Sequence, residues 1–272
     1  MPQAQTAVPG ALQMTDAELA QERERSRSVG MISVITVAMF SAFVVCQYFA
    51  LKDAAGGDAA LTLKSIENNK LIYILSGFFF SVATLFVAVA LTHILFAARS
   101  RTTRIAKLPF YMAIAGPVLV ALAYPVYTIG YVSAANDFAA SAHGGLELAK
   151  DLSGSTLITI ASGAWRLGQA MLVVAWVATG IYAMRIGLLT RMMGAFAIAI
   201  GVATLIAPPL AALLQVFWIG ALAILLLGES AQIPPAWKLG RPVSWSEVDA
   251  MRRQVAGDEE LESFNRSDQS AD

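Results

Sequence analysis

Long apolar blocks separated by short polar segments form the dominant pattern of the chain. Four blocks have polar segments on both sides, and they cover 29–51, 71–98, 108–134 and 157–184. Each is long enough for the roughly 20 residues that a helix needs to cross the hydrocarbon core of a bilayer. The pattern therefore predicts four membrane-spanning helices in the first two thirds of the chain.

A longer apolar run, from Met192 to Gly228, predicts two further spans. It has 37 residues, which is more than the tilting of one helix absorbs. Pro208 and Pro209 divide the run, and an interior proline removes a helix hydrogen bond and clashes with the preceding turn. We expect a tight turn near the outer surface at this pair, between spans at 192–207 and 210–228.

The composition agrees with an all-α membrane protein. Hydrophobic residues make up 57% of the 272-residue chain and charged residues only 14%, whereas soluble domains carry about 25% charged residues. We predict a polytopic transmembrane helical bundle of six spans over 29–228, with an N-terminal segment, 1–28, and a tail, 229–272. The net charge of zero gives no basic field of the kind that binds nucleic acid.

The distribution of Lys and Arg predicts the orientation. Of the 19 such residues, 14 lie in the two terminal segments and in the second-to-third and fourth-to-fifth loops, and four lie in 52–70 and 135–156. Cytoplasmic loops carry the excess of Lys and Arg. Both termini are therefore expected in the cytoplasm and the loops 52–70 and 135–156 outside, in a multi-pass protein of the cell membrane.

Two short motifs predict helices outside the spans. Thr15 with Glu18, and Ser244 with Glu247, have the spacing of a capping box, which begins a helix. The first is expected to open a short cytoplasmic helix that continues into the first span. The acidic end of the tail, 257–272, is predicted to be disordered because it has too few apolar residues to form a core.

A glycine and two tryptophans mark the predicted cytoplasmic side. Gly187 permits a tight turn between the fourth and fifth spans, with Arg185 and Arg191 at its two ends. Trp237 and Trp245 are expected to pack either at the level of the lipid headgroups or against the cytoplasmic helix ends.

The C-terminal third resembles a family of six-span bacterial membrane proteins that is common in actinobacteria. The residues that carry the resemblance are Ala183-Met-Arg185-Ile-Gly187-Leu-Leu with Arg191 and Gly194, Gln215-Val-Phe-Trp218, and Pro234-Pro-Ala-Trp237 with Gly240 and Trp245. The resemblance implies six spans in a bacterial plasma membrane. Because no activity is assigned to the family, it implies no catalytic residue.

One group of polar residues lies within the predicted spans, around Arg166. The residues at a similar outer depth are Gln47 in the first span, Tyr124 and Tyr127 in the third, Trp165, Arg166 and Gln169 in the fourth, and Gln215 in the sixth. No Asp or Glu occurs in any predicted span, so Arg166 has no internal counter-ion. A charge inside a span is costly, and we expect Arg166 to point into the bundle towards Tyr124 or Tyr127, then Gln47 or Gln215.

Two interpretations of this polar group remain open. In the first, Arg166 extends along its helix to the outer headgroups, and the segment is an interfacial anchor. In the second, Arg166 and Gln169 form the floor of an outward-facing cavity that binds an anionic or lipid-like ligand, with Trp165 as an apolar wall.

A metal site is not predicted. His143, Glu147 and Asp151 have helical i, i+4 and i+8 spacing, but the adjacent Gly144 and Gly145 weaken a helix there.

The chain is predicted to be a small binding or accessory membrane protein, without a cofactor, whose partner is a membrane lipid, an anionic ligand or another membrane protein. A transporter or channel for a small or anionic solute is the alternative, and a lipid-acting enzyme is the third hypothesis. No nucleophile with a base, phosphate-binding loop or intramembrane carboxylate was recognised, and these are the groups that hydrolases, nucleotide-driven pumps and proton-coupled transporters use.

Overall fold

Helices form most of the backbone in the computed structural model of the chain, which describes residues 11–54, 57–141, 145–230, 233–251 and 253. The helices are α1 Asp16–Leu51, α2 Ala59–Asn68, α3 Lys70–Arg99, α4 Leu108–Ala140, α5 Leu146–Ser153, α6 Thr156–Arg185, α7 Arg191–Ile206, α8 Pro208–Leu227, α9 Pro235–Leu239 and a last segment, α10, at 245–251. The predicted all-α helical bundle is confirmed.

Five helices, α1, α3, α4, α6 and α8, are long and apolar enough to cross a membrane, as expected of a multi-pass membrane protein. The fifth predicted span corresponds to α7, which is apolar but has only 16 residues. At 1.5 Å per residue it is about 24 Å long, somewhat shorter than the roughly 30 Å hydrocarbon core.

The chain reverses direction at the double proline. Helix α7 ends at Ile206 and α8 begins at Pro208, and Ala207 between them has a non-helical backbone (φ −145°, ψ 74°). The Trp218 indole donates a hydrogen bond of 2.9 Å to the Met193 carbonyl, 25 residues earlier. In one continuous helix these residues would be about 37 Å apart, so α7 and α8 form an antiparallel hairpin and the predicted turn is confirmed.

The charged part of the predicted N-terminal segment, from Asp16 onwards, and the first span form one helix of 36 residues, α1. Its capping box is confirmed: the Thr15 hydroxyl accepts from the Glu18 N–H, and the Glu18 carboxylate accepts from the Thr15 N–H. The residues that α1 buries follow one stripe, Leu19, Glu22, Ser26, Val29, Ser33, Thr36 and Phe40. Their alternating spacing of three and four is that of a helix seam, and it runs from the charged turns into the apolar part without interruption.

The crossing of α4 and α6 brings two helix backbones into contact. A Cβ atom added to Gly168 would lie 2.9 Å from the Gly116 carbonyl oxygen and 2.8 Å from Val120 Cγ2. Small residues permit this kind of close helix packing in membranes. The crossing fixes the middle of the bundle, next to a core in which Trp176 and Trp218 pack edge to face at 4.9 Å.

The two ends of the bundle are built differently. At one end, which we call the tail end, residues 11–15, the α3–α4 loop, the α6–α7 turn and the tail contact one another. At the other end the predicted external loops carry α2 and α5, whose apolar residues, including Leu63, Ile66 and Ala149, are buried. The four segments that the charge distribution placed on one side of the membrane thus meet at one end.

The orientation of that end is a prediction that cysteine labelling tests. Thr103→Cys lies on the tail-end loop and Ser141→Cys at the opposite end, each in a Cys46→Ala background. With a membrane-impermeant maleimide we expect labelling of position 141 in intact cells and of position 103 only after lysis. The reverse pattern would show that the termini lie outside.

The glycine crossing predicts a difference between two substitutions on one helix. Gly168→Ala places a methyl group against the α4 backbone, which cannot move aside, and should lower the stability by about 1–3 kcal/mol. The matched control is Gly163→Ala, because a Cβ there meets no atom within 4 Å and alanine favours a helix. Thermal unfolding in a mild detergent measures both, and equal midpoints would contradict the proposed crossing.

Candidate functional site

The predicted polar group around Arg166 does not form one site. The Arg166 side chain is exposed, and within the described residues it has no hydrogen bond or ion pair. Among the described residues it thus forms no hydrogen bond with Tyr124, Tyr127, Gln47 or Gln215, although its charge lies near enough to Tyr127 to interact with it electrostatically. The reason is rotational: residue 166 lies two positions before the buried Gly168 that faces α4, and two positions are about 200° around a helix.

Three of the predicted residues form an aromatic cluster instead. Trp165 lies 5.7 Å from both Tyr124 and Tyr127, measured between ring centroids. Tyr124 is buried and also contacts Phe43 and Phe80, which belong to α1 and α3. Rings from four helices therefore pack as an apolar core, with the offset geometries that aromatic pairs prefer.

The three glutamines separate into two places. Gln47 accepts a hydrogen bond of 2.9 Å from the Ser76 hydroxyl, which joins α1 to α3. Gln169 and Gln215 both line an interior cavity of about 40 Å³, together with Thr84 and Thr204. This volume holds about two or three water molecules.

A buried ion pair at the tail end is the most strongly bonded polar feature of the described structure. Arg101 is 0% exposed and makes two parallel hydrogen bonds to the Glu22 carboxylate, of 2.8 and 2.6 Å. Its remaining donors reach the carbonyl oxygens of Ala236, at 3.1 Å, and Ala97, at 2.7 Å. One guanidinium thus joins α1, the end of α3 and the tail.

Trp237 extends this network to a fourth element. The Arg101 guanidinium lies over the Trp237 ring at 5.4 Å, and the indole donates a hydrogen bond of 2.8 Å to the Leu188 carbonyl in the α6–α7 turn. His93 also stacks with the Trp237 ring, at 6.0 Å between ring centroids, and is hydrogen-bonded to Ser26 on α1. The tail tryptophan therefore packs against the helix ends, one of the two predicted places.

The rest of the tail continues along the α6–α7 turn. The Trp245 indole donates to the Met184 carbonyl at 2.8 Å, and the Val243 N–H donates to the Ile186 carbonyl at 3.1 Å. Gly187 has a φ of +74°, and a Cβ there would lie 2.6 Å from the Val243 carbonyl oxygen. Glycine is therefore required both for the predicted turn and for the approach of the tail.

Only one of the two hydrogen bonds of the second predicted capping box is present. The Glu247 N–H donates to the Ser244 hydroxyl at 3.3 Å as α10 begins. The Glu247 carboxylate instead accepts from Arg241, and this hydrogen bond raises the pKa of the Arg241 guanidinium. We call residues 11–15, 100–107, 186–190 and 233–251 together the cap.

The sequence interpretation assigned Arg101 only to the orientation of the chain and gave Glu22 no role. The helical spacing of the buried residues could have indicated the role of Glu22, because it occupies a position of the buried α1 stripe. A carboxylate on the buried side of a helix requires a cationic partner.

Two grooves lie on opposite sides of the charged turns of α1, beside the cap. The first has a volume of about 880 Å³; it is lined by residues of α1 from Ala20 to Arg27, by the end of α8 and by the tail. The second, of about 710 Å³, contains Glu18, Glu22, Arg25 and His93. The three arginines of α1 are divided between the grooves by their positions around the helix. Arg23 and Arg27 line the first groove, and Arg25 lines the second.

The candidate metal ligands of the 135–156 loop are only partly described. Glu147 pairs with Lys150 at 3.2 Å, and His143 lies outside the described residues. No group of three or more potential metal ligands occurs in the part of the chain that the structure describes. The predicted disordered end of the tail, 257–272, also lies outside that part.

Comparisons with known protein families, with curated proteins and with solved structures found no match. The resemblance to six-span bacterial membrane proteins therefore stays a prediction.

The buried ion pair predicts a large loss of stability when it is broken. Arg101→Leu leaves the Glu22 carboxylate buried without a partner and should cost about 3–5 kcal/mol. The double variant Arg101→Leu with Glu22→Leu should recover part of this loss, because no unpaired charge remains. Chemical or thermal unfolding in detergent measures each variant.

The matched control is the exposed pair between Arg191 and Asp249, at 3.6 Å. Asp249→Asn should change the stability by less than about 1 kcal/mol, as exposed pairs do. A small effect of Arg101→Leu, similar to that of the control, would mean that the guanidinium is not needed to hold the cap.

Proposed function

We propose that this protein is a binding or accessory protein of the cell membrane that holds a membrane lipid in the first groove, with its tail end in the cytoplasm. The observation that carries the proposal is the groove itself. Three cationic side chains, Arg23, Arg27 and Lys238, line it together with Leu225, Leu226 and Leu227. A lipid has the same combination of a polar head and an apolar body.

The groove is supported by elements that do not depend on a ligand. Its tail wall includes Trp237, which is held by Arg101 and by the Leu188 carbonyl. Its α1 wall is held by the Glu22 carboxylate and by the hydrogen bond between Ser26 and His93. A preformed site loses less conformational entropy when it binds a ligand.

Two features of the interior favour binding over transport. The cavity beside Gln169 and Gln215 has room for a few waters, and Gly116 and Gly168 bring α4 and α6 into backbone contact. A transporter requires a path for its solute that opens alternately to each side. In this proposal Arg166 is an interfacial anchor at the other end of the bundle, and no specific observation favours a lipid-acting enzyme.

The proposal predicts a retained lipid and no solute flux. Gently solubilised protein is analysed by native mass spectrometry, and we expect one lipid per chain to remain bound after detergent exchange. In parallel, proteoliposomes are loaded with small anions and neutral solutes, and their release should equal that of protein-free vesicles. Flux without a retained lipid would favour the transporter hypothesis over the proposed function.

A further inference from the structure

We infer that the first groove selects an anionic glycerophospholipid, whose phosphate lies between Arg23, Arg27 and Lys238 and whose acyl chains lie along the end of α8. This inference rests on the proposed function and adds the chemical class of the ligand. The groove combines the cationic side chains of Arg23, Arg27 and Lys238 with the apolar side chains of Leu225, Leu226 and Leu227.

The groove lies where the apolar and polar parts of the chain meet. Helix α8 ends at Leu227, and Gly228 ends it with a left-handed backbone conformation (φ 82°). On α1 the charged turns end before Val29, where the apolar part begins. A ligand in the groove therefore contacts cationic side chains at one end and leucines at the other, as a phospholipid at the membrane surface does.

The cations of the groove are available to a ligand. Arg23 and Arg27 are exposed and are one helical turn apart on α1, and Lys238 is exposed on α9. None of the three forms an ion pair with another described residue, whereas Arg101, Arg191 and Arg241 all do. Arginine also donates two parallel hydrogen bonds to phosphate oxygens, which suits the phosphate of a lipid headgroup.

The charge balance of the groove matches a lipid with a single net negative charge. Glu24 and Glu229 also line it, so the five charged side chains, three cationic and two anionic, carry a net charge of +1. Phosphatidylglycerol carries a single negative charge, and the complex would be neutral. A zwitterionic lipid would leave the net positive charge uncompensated, and an inorganic phosphate ion would leave the leucines without a partner.

The position of Lys238 is set by the cap. It follows Trp237, which is fixed by the Arg101 guanidinium and the Leu188 carbonyl. The α1 arginines are set by the rotation of their helix, since Glu22 and Ser26, each one position before one of the two arginines, are buried. Both walls of the headgroup site are therefore oriented before a lipid arrives.

The test compares two double variants that remove equal charge, one from the first groove and one from outside it. The groove variant is Arg23→Gln with Arg27→Gln. The control is Arg25→Gln with Arg104→Gln, because Arg25 lines the other groove and Arg104 is an exposed residue of the α3–α4 loop. Protein reconstituted in vesicles of equal phosphatidylglycerol and phosphatidylcholine is re-extracted, and native mass spectrometry measures the bound lipids.

We expect the unaltered protein and the control to retain phosphatidylglycerol at least tenfold over phosphatidylcholine, and the groove variant to lose this preference. Cysteine labelling at positions 103 and 141 checks that both variants keep their orientation, because loop arginines also set topology. If the groove variant does not fold, Lys238→Gln with Lys107→Gln as its control gives the same comparison on the tail wall.

The outcomes separate the inference from the proposed function. Retention of phosphatidylcholine, or a preference for phosphatidylglycerol that is equal in all variants, overturns the inference and leaves a lipid-binding protein. Thermal stabilisation by inorganic phosphate or glycerol phosphate that equals the effect of phosphatidylglycerol identifies a soluble ligand and also overturns it. No retained lipid of any kind contradicts the proposed function itself.

Discussion

The ion pair between Arg101 and Glu22 is the constraint on which the tail end depends. A fully buried guanidinium is stable only when its charge and its donors are satisfied, since each unpaired buried ion costs several kcal/mol. Here the carboxylate supplies the charge, and the carbonyls of Ala97 and Ala236 supply further acceptors. These three partners belong to α1, α3 and the tail, so the elements are held at fixed distances by one side chain. The tail also packs Val243, Val248 and Trp245 against the main core, and the ion pair adds a polar contact that fixes its position.

The same pair determines what α1 presents to its surroundings. Because Glu22 must face Arg101, the rotation of the helix is fixed, and residues one and five positions later, Arg23 and Arg27, turn towards the groove beside α8. Arg25 turns to the opposite groove. The apolar stripe continues this rotation to Val29, Ser33 and Phe40, so the charged turns cannot rotate independently of the span. The ion pair thereby sets the geometry of the proposed ligand site beside it.

The elements that depend on local sequence were predictable, and the arrangement of side chains across helices was not. The lengths of the apolar blocks predicted the long helices, and the double proline predicted the α7–α8 turn. The pair Thr15 and Glu18 predicted the start of α1. Arg166 was misplaced because a rare charge in an apolar run was assumed to face inwards, although the side that faces inwards is decided by Gly168 and its contact with α4. Arg101 was overlooked for the opposite reason, since in a loop rich in arginine its burial depends on a carboxylate 79 residues earlier. The groove needs three segments far apart in sequence, and no local pattern indicates it.

The cationic side chains at the tail end have several different roles. The orientation of the chain requires only that Lys and Arg lie near the cytoplasmic ends of the spans. For orientation, each of these residues has the same effect. The structure distinguishes them: Arg101 is buried with a carboxylate, Arg191 lies over the Trp245 ring and pairs with Asp249, and Arg241 pairs with Glu247. Arg23, Arg27 and Lys238 have no such partner among the described residues, yet they converge on one groove from two separate elements. The orientation of the chain does not require these three cations to lie close together, whereas the binding of one phosphate does.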